Sequence, residues 1–218
     1  MSADPPPAPG AVEVWRLGHV RGPLAPPPHE HAGWAGRWDD PDRAFSTLYV
    51  ASDPRTAIRE VLAPLRPDAA MVDAFGAASR EVQAARRVPL GETDRARRLA
   101  SATVRFGALA DVSTAGGRTV VAERYADVLA THGVAHLDDT DVTTRDHRFT
   151  RALTRRFYAD GLDGVRYASN VDGGECFALF EGRYALEHDP TRHVLLTPSE
   201  AAAIVREAVL ELGLVVVP

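Results

Sequence analysis

At 218 residues and 45% apolar composition, the chain is long enough for one domain with terminal extensions and too apolar for large-scale disorder. A net charge of −5 offers no basic excess of the kind a nucleic-acid surface carries, so nucleic acid is not an expected partner. The single cysteine, Cys176, rules out an internal disulfide framework and suits a reducing compartment. No apolar run approaches the roughly 18 residues of a membrane span. Met1 to Gly10 is Pro-rich and lacks the basic start and apolar run of a secretory signal. The expected setting is therefore the cytoplasm, with no membrane contact. All 25 basic residues are Arg, and each can hold a phosphate through a planar bidentate fork.

Residues 1–11 read as a flexible N-terminal segment. The alternation of VEVWRL predicts a strand at about 12–17, and the Pro-, Gly- and His-bearing stretch 18–44 a long loop, an uncommon feature that often serves function. A second strand is expected at Thr47–Ala51. Ser52 or Asp53 then caps a helix that opens on Pro54 and runs to about Leu65, with Ala57, Ile58, Val61, Leu62 and Leu65 as its apolar stripe. Residues 68–89 suggest one or two strands around Val82 and Val88, and 92–105 either a basic helix or a charged loop. A helix over 118–131 and a short strand at Val134–Leu137 follow.

Asp146–Asp160 reads as a helix with Phe149, Ala152, Leu153, Phe157 and Tyr158 on one side, stopped at Gly161. GVRYAS (164–169), a turn at Asp172-Gly173-Gly174 and CFALFE (176–181) form an expected hairpin. Thr197-Pro198-Ser199-Glu200 is a capping box announcing a C-terminal helix, about 198–213, that stops at Gly213. Neither an internal repeat nor a domain boundary is visible. The chain is read as one domain, 12–218, with an extended middle region at about 68–145.

Three features carry chemical interest. Arg16 ends an apolar run, and Arg37 sits in Gly36-Arg37-Trp38 at the close of the long loop; each is either a surface arginine or an anion contact. Glu60 lies on the flank of an amphipathic helix, where most carboxylates are solvated or salt-bridged. Tyr49, 11 residues earlier and one tight turn away, can share a pocket wall with it. Arg166-Tyr167-Ala168-Ser169-Asn170 meets a turn, where Ser and Asn are commonly turn formers, and no nucleophile-elbow pattern surrounds Ser169.

Other candidates are weaker. His29-Glu30-His31 lacks a third ligand at motif spacing and reads as a solvated loop, so no metal is expected. His136, Asp138, Asp139, Asp141 and Asp146-His147 serve equally as helix caps. Cys176 lies in an apolar strand and suits an inert buried thiol. No Walker A or Gly-x-Gly-x-x-Gly pattern is present, which leaves a P-loop or Rossmann site unsupported.

In their order and spacing these stretches resemble the RES domain family, named for an Arg, a Glu and a Ser, which includes NAD⁺-degrading toxins of toxin–antitoxin pairs. The matching blocks are Val14-Trp15-Arg16, Gly36-Arg37-Trp38, Leu48 to Ser52 with AIREVL (57–62), and Gly161 to Ser169 followed by the apolar 177–180 strand. The resemblance covers roughly residues 12–183; within it, 68–145 matches only in general character. It implies an α+β fold like that of ADP-ribosyltransferases, with a split, twisted β-sheet core flanked by helices. It also implies Arg16 and Arg37 against the NAD⁺ phosphates, Tyr49 by the nicotinamide, Glu60 at the scissile glycosidic bond and Ser169 lining the pocket. Glu60, Arg37 and Ser169 are the implied catalytic set; Arg16, Arg37, Tyr49 and Ser169 the implied binding set.

The reaction so implied is cleavage of the nicotinamide–ribose bond, with NAD⁺ as substrate. Water as acceptor makes the enzyme a glycohydrolase, and inorganic phosphate as co-substrate makes it a phosphorylase. A macromolecular acceptor makes it an ADP-ribosyltransferase, and a pocket without turnover a nucleotide-binding module. An antitoxin protein is an implied partner. The C-terminal helix is expected to pack on the domain or on a second copy of the chain in a homo-oligomer.

Overall fold

Asp53, in extended backbone, accepts hydrogen bonds from the Arg55 and Thr56 amides and starts a helix whose first residue is Pro54. Around this cap the expected strand and helix both form, in a computed structural model that describes residues 10–26, 34–89, 95–188 and 201–217. Strand β1 is Gly10–His19, longer than its alternation suggests, and β2 is Thr47–Ala51, antiparallel to it with Trp15 opposite Ala51. Helix α1, Pro54–Leu62, continues into a 3₁₀ turn at Ala63–Leu65. Its inner face is Thr56, Ala57, Ile58 and Leu62, whereas Leu65 is 43% exposed and lies outside the buried stripe. Between 20–26 and 34–46 the described residues hold no helix or strand, as the long loop requires.

The middle of the chain departs from its sequence reading. Val82 lies in a helix, not a strand: Asp68 caps α2, Ala69–Phe75, and Ser79 caps α3, Arg80–Ala85. A lone apolar residue among polar ones satisfies either period, and the capping hydroxyl decides. Val88 does lie in a short strand, β3, Arg87–Pro89. Residues 97–106 form neither a basic helix nor a charged loop but the strand β4, Arg97–Phe106. Leu99, Ala100, Ser101 and Ala102 are buried in succession, so both faces are covered and the alternation expected of a half-buried strand is absent.

Val134–Leu137 is not a strand; the chain there leaves Gly133, at φ +70°, and runs irregularly into the next helix. A strand the sequence does not announce, β5 at Leu109–Asp111, comes before it. The helix read at 118–131 is two helices, α4 at Ala115–Arg124 and α5 at Ala126–Thr131, broken at Tyr125. Asp138 and Asp141 close a capping box on α6, Asp139–Thr143. Helix α7, Arg148–Ala159, buries Phe149, Leu153 and Phe157, and Gly161 follows it at φ +84°. Strands β6, Gly164–Ala168, and β7, Glu175–Phe180, make the expected antiparallel hairpin with Val165 opposite Ala178. The end of the described chain adds β8, Ala185–Glu187, then α8, Ala201–Glu211, and β9, Val215–Val217. The capping box at 197–200 and most of the N-terminal segment lie outside the described residues.

Among the described residues seven strands form one sheet, in the order β5-β6-β7-β2-β1-β4-β8, and β3 pairs with β9 in a second, parallel one. The chain divides into two compact units. One is drawn from Met1–Glu13, Ala25–Val50 and Thr103–Glu187, the other from Val14–Leu24, Ala51–Ala102 and His188–Pro218, so β1, β2 and β4 each contribute to both. The first unit buries Trp38, Leu48, Leu153, Phe157, Phe177 and Phe180. The second buries Leu17, Ile58, Leu62, Val88, Val205 and Val209. In the second unit α8 packs on α1, and Arg55–Glu207 and Arg59–Glu211 ion pairs tie the two helices together.

Candidate functional site

Tyr49 and Arg37 are tied into one small structure by the turn that carries Gly36-Arg37-Trp38. The Tyr49 hydroxyl accepts a hydrogen bond from the Trp38 amide at 3.0 Å and donates to Asp39 Oδ1 at 2.9 Å. Asp39 Oδ2 accepts from the Gly36 amide at 2.7 Å, closing the turn on itself. Position 36 has no room for a side chain, because a Cβ there would overlap the Tyr49 hydroxyl and reach 2.9 Å from Asp39 Oδ1. Thr47, two residues before Tyr49, donates to the Trp38 carbonyl at 3.0 Å, and Trp38 itself is fully buried. Burial and the adjacent Asp39 carboxylate hold the Tyr49 phenol well above its ordinary pKa, so it stays a neutral donor to that carboxylate.

The first turns of α7 grip the same segment from the other side. Thr150 Oγ1 donates to the Arg37 carbonyl at 2.9 Å; Arg151 donates through Nε to the Gly36 carbonyl at 3.1 Å and through Nη2 to the Trp34 carbonyl at 2.7 Å. His147 Nδ1 lies 3.1 Å from the Ala35 carbonyl. Burial, together with the Arg37 and Arg151 charges, lowers the His147 pKa, against the opposing pull of that carbonyl. Trp34 enters the segment at φ +45°, a left-handed conformation costly for a bulky residue and held here by the Arg151 contact.

Arg37 extends its side chain toward the end of the β6–β7 hairpin. Its Nη1 donates to Asn170 Oδ1 at 2.9 Å and its Nη2 to the Thr143 carbonyl at 3.3 Å, and Asn170 Nδ2 donates to that same carbonyl at 2.8 Å. Ser169, next in the chain, is buried and shapes the turn. Its Oγ accepts from the Val171 and Asp172 amides at 3.0 and 3.4 Å, and its amide donates to the Gly174 carbonyl at 2.7 Å.

Arg37, Tyr49 and Ser169 thus belong to the first compact unit, and Arg16 and Glu60 to the second. Arg16 lies on β1 and donates to the Pro23 carbonyl at 2.6 Å. Gly18 lies against that same carbonyl, which a Cβ would overlap. Glu60 is half-exposed on α1, two turns from the Asp53 cap and beside Arg59, which pairs with Glu211.

Asp39, Thr143, Thr150 and Arg151 escape the sequence reading, His147 enters it only as a helix-cap candidate, and Asn170 only as a turn former. Asp39 had a local signal, a carboxylate three residues after a tight-turn glycine. Thr143 and the α7 residues had none, since more than 100 positions separate them from the segment they hold. Of the weaker candidates, Asp138 is a helix cap, Cys176 is a buried thiol in no disulfide, and His29-Glu30-His31 lies outside the described residues. Among the described residues no group of three or more His, Cys, Asp or Glu is arranged to hold a metal, and no helix is long and apolar enough to cross a membrane. Two cavities of the first unit, of about 540 and 270 Å³, are lined by none of Arg37, Tyr49 and Ser169.

A search of curated proteins returns no match. Among solved structures, the chain is similar to one in the crystal structure of the M. tuberculosis MbcT-MbcA toxin-antitoxin complex. The TM-score is 0.52 at 17% identity over 91% of each chain. At that identity the likeness speaks for the fold, which is α+β and of the ADP-ribosyltransferase-like kind. The sequence model of the RES domain matches residues 13–199, a span that contains Arg16, Arg37, Tyr49, Glu60 and Ser169 and most of the chain. The chain belongs to the RES domain family.

Proposed function

We propose that this chain consumes NAD⁺ by breaking the bond between nicotinamide and ribose, as the toxin of a toxin–antitoxin pair. The observation that carries the reading is the RES match over residues 13–199. The similarity to a chain of a toxin–antitoxin complex supports an antitoxin protein as the partner.

The bond breaks through an oxocarbenium-like state, because a cationic pyridinium leaves as a neutral base. The Glu60 carboxylate, set at the ribose, stabilises the positive charge that develops there, an effect whose removal costs on the order of 3 kcal/mol of barrier. Arg16 and Arg37 hold the diphosphate, so binding energy far from the reacting bond supplies orientation. The Tyr49 ring faces the nicotinamide end while its hydroxyl stays committed to Trp38 and Asp39. Water or inorganic phosphate takes the ribosyl carbon, gives up a proton and yields ADP-ribose or its 1″-phosphate. Small acceptors are favoured because arginine side chains suit phosphate as well as the dinucleotide.

Chromatography of the chain incubated with NAD⁺ tests this directly. Free nicotinamide is expected, and its dependence on added phosphate separates phosphorylase from glycohydrolase. Intact NAD⁺ after long incubation, with and without phosphate, would refute the enzyme reading. Labelled ADP-ribose recovered on a macromolecule would replace it with a transferase.

A further inference from the structure

Two of the sequence blocks, the one around Arg37 and the one ending at Ser169, meet through Asn170. Both halves of the Asn170 amide are used. Oδ1 accepts from Arg37 Nη1 at 2.9 Å, and Nδ2 donates to the Thr143 carbonyl at 2.8 Å. That carbonyl, with two lone pairs, also receives Arg37 Nη2 at 3.3 Å. A guanidinium is planar, and two acceptors on its two terminal nitrogens fix the direction of that plane. Only Asn or Gln offers both the acceptor and the donor this triangle needs. Asp would set a second acceptor against the carbonyl, and Ser is too short to reach both. Ser169 supplies the geometry one residue earlier. Its buried hydroxyl accepts the Val171 and Asp172 amides, so it is committed to the turn from which exposed Asn170 projects.

We propose that Asn170 is a positioning residue, which the turn built by Ser169 presents so that, with the Thr143 carbonyl, it orients the Arg37 guanidinium toward the diphosphate of a dinucleotide. The ligand in this statement rests on the NAD⁺ reading above; the orientation of Arg37 does not. Ser169 accordingly acts through Asn170 on Arg37 and is itself a positioning residue.

Asn170→Ala is expected to raise the KM for NAD⁺ about tenfold, the size of one hydrogen bond to a charged group, with kcat little changed. In an Arg37→Ala background the same substitution should add nothing, because the group it orients is gone. Ser169→Ala should shift the same quantities in the same direction and add little to Asn170→Ala. Independently of substrate, ¹⁵N spectra should show the Arg37 Nε–H signal, identified by its loss in Arg37→Lys, and its solvent exchange should quicken in Asn170→Ala. Thermal unfolding should barely change, since Asn170 is exposed. If Ala at this position does unfold the chain, Asn170→Leu serves instead: it keeps the volume, loses both acceptor and donor, and should quicken exchange likewise. An unchanged Arg37 signal and KM overturns the proposal, as does a KM effect of equal size with and without Arg37. Should the wild-type chain neither cleave nor bind NAD⁺, the NAD⁺ reading alone falls, and the Arg37 signal still decides the role of Asn170.

Discussion

Glu60 and Arg37 meet different stages of the proposed reaction, and substitution should separate them. Glu60→Gln preserves size and some hydrogen bonding but removes the charge that the oxocarbenium state needs. The expected loss is about 100-fold or more in kcat, with NAD⁺ binding largely intact. In the same proposal Arg37 meets phosphate charge already present in the ground state, so Arg37→Ala should raise Kd and KM. Calorimetric binding alongside nicotinamide release distinguishes the two, and near wild-type turnover by Glu60→Gln would reduce that residue to a helix-flank carboxylate.

Tyr49→Phe probes the structure beneath Arg37. It strands the Trp38 amide and Asp39 Oδ1, and should cost about 1–3 kcal/mol in denaturant unfolding. The phenol's raised pKa adds a signature. In the unfolded chain Tyr49 ionises from about pH 10. In the folded chain it stays protonated to higher pH. Its share of stability is therefore complete below the unfolded value and lost as pH climbs toward the folded one. Tyr125, pushed up to about 12 mainly by burial, loses stability in the same window, so Tyr125→Phe is the control. Tyr49→Phe should flatten the alkaline loss; an unchanged slope would show that the enclosed hydroxyl contributes nothing to it.

These residues also mark what could be read from sequence. Arg16, Arg37, Tyr49, Glu60 and Ser169 are singled out in the sequence because each lies in a short block that resembles the family's pattern. Their supports are not. Arg151, Thr150 and His147 carry no motif, and only the packing of α7 brings them to the carbonyls of residues 34–37.

At the scale of elements, the same contrast follows from how each piece declares itself. Strand β2, helix α1, helix α7 and the β6–β7 hairpin were legible because caps, proline, glycine stops and a single buried face all agreed. Strand β4 was not, since arginine and alanine favour helix and burial on both faces erases alternation. The short strands β5, β8 and β9, three residues each, exist only through partners distant in sequence. Helix α1 tests the local argument. Asp53→Ala removes a cap that accepts two amides and should cost about 1 kcal/mol, while Asp53→Asn should cost less. Because α1 carries Glu60, kcat should fall with the alanine variant more than KM rises. Equal stability of the two variants would mean that packing against α8, rather than the cap, sets the helix.

For the molecule as a whole, NAD⁺ recognition has a consequence that does not depend on catalysis. A ligand that binds the folded chain and not the unfolded one stabilises it by about 2.7 kcal/mol at 100 times its Kd. For a chain of this length that corresponds to a Tm rise of roughly 5–10 °C. The wild-type chain is a poor subject, because it would consume the ligand during the measurement. Glu60→Gln is the suitable one, since it should keep the binding arginines and lose turnover. NAD⁺ and ADP-ribose should both raise its Tm, nicotinamide alone should do little, and adding Arg37→Ala should shrink the NAD⁺ shift. That order follows from where the proposed reading puts the binding energy: in the diphosphate, which both dinucleotide and product carry, and not in the leaving base. A Tm raised equally by nicotinamide would move the recognition to the base. A Tm unmoved by millimolar NAD⁺ in Glu60→Gln, with the variant folded, would remove NAD⁺ as the ligand.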